Sequence, residues 1–258
     1  MGFILDTIKS IINDNLGGNK SQHPLIVRGQ KSGDKTYKYS MVDIGGYKSP
    51  SGGYANYALY LVDVINPKTN RKNTNKEYTG KDEADVREKI KADGYEEILD
   101  IRLQQFEAPT ESQVNYARDL CLKYPDDVTK DDLSAILSRH LDDDPDSPSP
   151  EFAKFADERG FCFSRFIGLN SLLGSVRYSL PMPEKIALYA YAVIRQEKKQ
   201  KAFDPYSSNW DKLVKIGENL SKDEKVTDSL LNRTTQDYLN PNRGTTVYKA
   251  VYDKILTI

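Results

Sequence analysis

The character of the chain changes at Ala108-Pro109, and that break constrains the fold more than any single motif. Upstream, Thr36–Ile44, Tyr54–Ile65, Lys76–Thr79 and Ile98–Leu103 are short runs with the Tyr, Val and Ile content or the alternation of strands. Downstream, apolar residues recur only at helical spacing. The expected architecture is α+β: a small basic α+β domain over residues 24–108, followed by an all-helical domain over residues 109–258.

Turn chemistry and caps supply the detail. Gly45 to Gly53 reads as a long hairpin loop between the first two strands, and Asn66 to Asn73 as a second polar loop. Asp82–Ala92 reads as a helix with inward Ala84, Val86 and Ile90, stopped by Gly94. Thr110 with Gln113, and Thr129 with Asp132, have capping-box spacing and open two helices. Further helices are expected near 150–159, 164–179, 183–201, 207–220, 222–232 and 243–257. Asp142–Pro150 reads as an exposed acidic linker interleaved with Pro and Ser. In residues 1–23, Ile4, Leu5, Ile8, Ile11, Ile12 and Leu16 trace an amphipathic helix, with Gly17-Gly18 as its stop before a linker.

Charge is uneven although the net value is −1. Residues 24–81 hold ten Lys/Arg against four Asp/Glu, and residues 82–106 four against eight. Residues 107–160 hold six against fourteen, and residues 161–258 fifteen against ten. A near-neutral total therefore conceals a polarised molecule, and the basic and acidic segments suit different partners.

Several functional classes find no support. No apolar run approaches the roughly 18 residues of a membrane span, and Asp6 interrupts the first apolar stretch, so neither membrane insertion nor a secretory leader is expected. Cys121 and Cys162 form no C-x-x-C pair and read as buried small hydrophobes in a reducing, cytoplasmic setting. The 45–53 glycine loop matches neither nucleotide-binding fingerprint, and no G-x-S-x-G is present. Asp142, Asp144 and Asp146 have calcium-loop spacing. Ser147 stands where the turn needs Gly, and Ala153 where the closing Glu belongs. His140 suits a helix C-terminus better than acid–base work. No catalytic residue, metal site or cofactor is assigned.

What remains is a basic, aromatic loop surface. Tyr47, Lys48 and Tyr54 on the first loop, with Lys68, Arg71 and Lys72 on the second, combine phosphate-binding cations with rings on which unpaired bases stack. Single-stranded nucleic acid is the expected ligand, through residues 24–81. The seventeen Tyr, against one Trp and eight Phe, also suit contact surfaces.

Residues 109–120, Pro-Thr-Glu-Ser-Gln-Val-Asn-Tyr-Ala-Arg-Asp-Leu, are followed by Thr129 to Ser134 and then by Pro150 to Gly160 and Ser164 to Gly168. Over about 110–195 this resembles a helix–extended loop–helix module of uncharacterised bacterial proteins, sometimes found beside exonuclease or BRCT domains. The resemblance implies the company of DNA-processing or mobile-element proteins and brings no catalytic residue with it. The leading expectation is a non-enzymatic binding or adaptor protein in bacterial nucleic-acid transactions, of phage or mobile-element origin, whose helical domain engages a protein partner. A protein-interaction factor that inhibits a nuclease or defence system through its acidic segment is the first alternative. A metal-dependent enzyme with carboxylates not groupable from sequence is the second.

Overall fold

The computed structural model describes residues 37–45 and 47–256; the expected N-terminal helix, His23 and Gly46 lie outside the described residues. An antiparallel sheet is followed by helices, the expected α+β order. The sheet runs β3-β2-β4, where β2 is Ala58–Asn66, β3 Arg71–Gly80 and β4 Ile98–Gln104. Helix α1, Glu83–Ala92, packs Val86 and Ile90 on one face of the sheet, against Ala58, Tyr60, Val62, Val64 and Tyr78. Asp82 caps it and Gly94, at φ 85°, ends it.

The first strand pairing differs from expectation. Among the described residues of the Thr36–Ile44 run only β1, Tyr37–Lys38, is a strand, and it pairs in parallel with β5, Leu122–Lys123. The hairpin is β2–β3, and the 45–53 loop leads into β2 without closing a hairpin. Val42 explains the change: it is buried in the helical core, and its N–H donates to Arg165 O at 2.6 Å. A segment anchored there cannot also lie beside β2.

Both capping boxes form, opening α2, Glu111–Asp119, and α3, Lys130–Leu141. Then come α4, Pro150–Glu158; α5, Leu169–Ser179; α6, Met182–Glu197; a short 3-10 turn, Pro205–Ser207; α7, Trp210–Leu220; α8, Glu224–Leu231; α9, Thr235–Leu239; and α10, Thr246–Ile255. Ile186 to Val193 are buried without interruption, so α6 is enclosed on every side and not amphipathic. Gly217 permits the close crossing of α7, since a Cβ there would fall 2.0 Å from Pro183 O.

The 142–150 segment is exposed at Asp142, Asp143, Pro145, Asp146 and Pro150, as its composition suggests, but it is anchored to the fold at Asp144. Asp144 is 1% exposed and accepts from the N–H groups of Asn170 and Ser171, both at 3.1 Å. It thereby caps α5, whose own N-cap is Gly168 and supplies no side chain. Arg139, also 1% exposed, donates to the carbonyl oxygens of Ser40, Asp144, Pro145 and Phe166. One guanidinium thus holds three stretches of irregular backbone, which satisfies carbonyls that a loop of this kind would otherwise bury unpaired.

Candidate functional site

The six residues chosen from sequence fall into two groups at opposite ends of β2, separated by roughly 25 Å of strand. Lys68, Arg71 and Lys72 lie on the exposed β2–β3 hairpin; Tyr47, Lys48 and Tyr54 lie on the loop that precedes β2.

The hairpin owes its shape to Asn66, whose side chain accepts from the N–H groups of Lys68 and Thr69 at 2.9 and 3.3 Å. Residues 64–76 contain four cations and no acid: Lys68, Arg71, Lys72 and Lys76. At its base, both sheet ladders slip beside Asp63. This buried carboxylate accepts from Arg102 at 2.9 Å and from the Asn75 N–H at 3.0 Å, and pairs with Lys72 at 2.9 Å. Asn75 reaches its position with φ 55°. Hydrogen bonds from Arg102, Asn75 and Lys72 hold the Asp63 carboxyl far below the usual range. Lys72 is therefore half committed to the fold, whereas among the described residues no ion pair engages Lys68 or Arg71.

Lys76, which sequence reading left out, belongs to the same cationic stretch. Its ammonium donates to Tyr95 Oη at 2.8 Å and lies 4.2 Å from that ring's centroid. The absence of acids between residues 64 and 76 is the signal that could have included it.

At the other end, cations already occupy the ring of Tyr54: Lys48 Nζ lies 5.7 Å and the Arg165 guanidinium 5.3 Å from its centroid. Tyr47 is 40% exposed, and its hydroxyl reaches Lys81 O at 3.5 Å. Beneath them is a polar knot around the buried Arg165, Asp132 and Ser164. Arg165 bridges Asp132 and Asp127, each at 3.1 Å, and Ser164 donates to Asp132 at 2.7 Å. Tyr57 donates to Asp131 at 2.9 Å, and burial raises the proton affinity of that carboxyl. Beside the knot, Ser51, Gly53, Phe106, Asp127 and Thr129 line a shallow cleft of about 260 Å³. The loop comes close because Gly53, at φ 66°, has no Cβ; one would sit 2.9 Å from Thr129 Cγ2.

Much of the acidic middle segment is spent internally. Asp127 and Asp132 face Arg165, Asp131 faces Tyr57, Asp144 caps α5, and Asp157 accepts from Asn56 and Lys81, each at 3.0 Å. Among the described residues no three His, Cys, Asp or Glu side chains group so as to hold a metal ion. None of the described helices is long and apolar enough to cross a membrane. Cys121 is exposed, contrary to the sequence reading: α2 ends before it, and it takes the left-handed position just past that helix at φ 54°. Cys162 is half-buried, and desolvation pushes its thiol up.

No family model, curated protein or solved structure matches the chain.

Proposed function

We propose that the protein is a non-enzymatic nucleic-acid-binding or adaptor protein of the bacterial cytoplasm, with the β2–β3 hairpin as its contact. The observation that carries this reading is the run Lys68, Arg71, Lys72 and Lys76 without an intervening acid on an exposed hairpin. Such an arm neutralises phosphates and releases counterions, the dominant sequence-independent term in nucleic-acid affinity. The likeness of residues 110–195 to a module found beside DNA-processing domains supports the same setting. The engagement of Asp127, Asp131, Asp132, Asp144 and Asp157 with neighbouring groups favours this reading over mimicry of nucleic acid by the acidic segment.

Tyr47 and Tyr54 are remote from the hairpin, so phosphate contacts carry the affinity and stacking adds only where one strand reaches both ends of β2. Fluorescence anisotropy of the full chain with single- and double-stranded oligonucleotides tests this. Binding at low salt is expected, with an affinity that falls steeply as salt rises. Lys68→Glu combined with Arg71→Glu should flatten the salt slope by about two. Tyr47→Ala should cost about 1–3 kcal/mol on single strands if a base stacks there. No binding to either form at low salt would overturn the reading.

A further inference from the structure

The sheet ends on β4, whose outer edge has no ladder partner among the described residues. Alternate N–H and C=O groups of that strand point away from β2 and are open to another strand. None of its seven residues is buried, and Leu99 and Leu103 are 44% and 45% exposed. The opposite edge is different in kind: β3 reads Arg-Lys-Asn-Thr-Asn-Lys-Glu-Tyr-Thr-Gly and contains no aliphatic residue larger than Gly. Such a polar edge resists pairing, whereas β4 invites it.

The sequence of β4 says what would pair with it. Leu99-Asp100-Ile101-Arg102-Leu103 is self-complementary about Ile101. An antiparallel copy with Ile101 facing Ile101 sets Leu99 opposite Leu103 and Asp100 opposite Arg102, twice over. Cross-strand apolar pairs and opposite charges are the units of sheet stabilisation. Asp100 and Arg102 are both partly exposed and contact each other within the strand, but the Arg102 guanidinium also reaches back to Asp63 and Asn75, so the apolar Leu99–Leu103 pairs carry the match and Asp100 offers the freer charge. We infer that β4 pairs with β4 of a second copy, giving a two-fold symmetric dimer with one continuous sheet. An unrelated peptide could use the same edge, but it would draw nothing from the palindrome. Two-fold pairing requires each contact to be made twice, which is the pattern that β4 carries.

Seven residues a side are fewer than a standard interface uses, so the dimer is weak and concentration matters. Sedimentation equilibrium of the full chain should show mass rising from monomer towards dimer across about 1–200 µM, the range expected of so small an interface. Leu103→Lys should lower the association constant at least tenfold while the circular dichroism spectrum stays unchanged. Register is tested by cysteine pairing in a Cys121→Ser background with diamide as oxidant. Ile101→Cys should link to itself, and Leu103→Cys should link to Leu99→Cys but not to itself. A native chain that remains monomeric throughout overturns the inference. So does a dimer indifferent to Leu103→Lys, or one in which Leu103→Cys links to itself.

Discussion

Asp63 and Asp131 are both carboxylates in polar company, yet their environments push them in opposite directions. Asp63 is held in its charged form by Arg102, the Asn75 N–H and Lys72, so its folded pKa lies below the unfolded value. Its stabilisation is complete above about pH 4 and is lost as pH falls towards the folded value. Asp63→Asn should therefore lower Tm at pH 7 and matter progressively less in acid. Asp131 is raised by desolvation, so its contribution is largest at low pH and lost as pH rises through the folded value. Asp131→Asn, which can still accept from Tyr57, should raise Tm at pH 7 and leave it almost unchanged at pH 3. Thermal melts of both variants across pH check the two signs together. Cys121 offers a third test. A left-handed conformation costs a non-glycine residue about 1 kcal/mol, so Cys121→Gly should stabilise the fold by about that amount in urea titration. Nothing in the sequence marks either site, because Asp63 meets Arg102, and Asp131 meets Tyr57, only through long-range folding.

Elements were legible where their signals are local. Thr110 and Thr129 announce their helices through three-residue capping boxes, and Gly94 announces a stop. The failures are non-local. Residues 36–44 have strand composition, but Val42 belongs to the helical core, and packing overrode propensity. Helix α5 begins at Leu169, later than periodicity suggests, because Ser164 and Arg165 serve the polar knot and Asp144 caps the helix from 26 positions before Asn170. Asp144→Ala should cost about 1–3 kcal/mol, the penalty for leaving buried donors unpaired. Gly168→Ala should be similarly damaging, since a Cβ there would fall 2.0 Å from Asp144 Oδ2. Gly217→Ala should cost about 2–3 kcal/mol or more, because the obstacle is the Pro183 backbone and cannot rotate away. Chemical denaturation of each variant measures these losses, and a Gly217→Ala change below about 0.5 kcal/mol, the scale of a surface substitution, would contradict the close crossing.

At the scale of the whole molecule, the compositional break at Ala108-Pro109 marks a change of element type, yet hydrogen bonds cross it. Asn56 reaches Phe161 O at 2.6 Å, Tyr57 reaches Asp131, and Lys81 reaches Asp157. The described residues belong to one compact unit. Sheet and helices should therefore unfold together. Fluorescence of Trp210, the only tryptophan, and amide exchange in β2 should report the same transition, and two separated midpoints would refute this. The enclosure of α6 also bears on the fate of damaged copies in a cell. Its outward-facing residues are as apolar as its inward ones, and Val247, Tyr248 and Val251 of α10 form part of its cover. A ribosome that stops before α10 would release a product with a bare greasy rod at its centre, the kind of surface that chaperones hold and proteases clear. Nonsense changes between Glu197 and Thr246 are thus expected to remove the protein from the cell instead of leaving a shortened, partly working form.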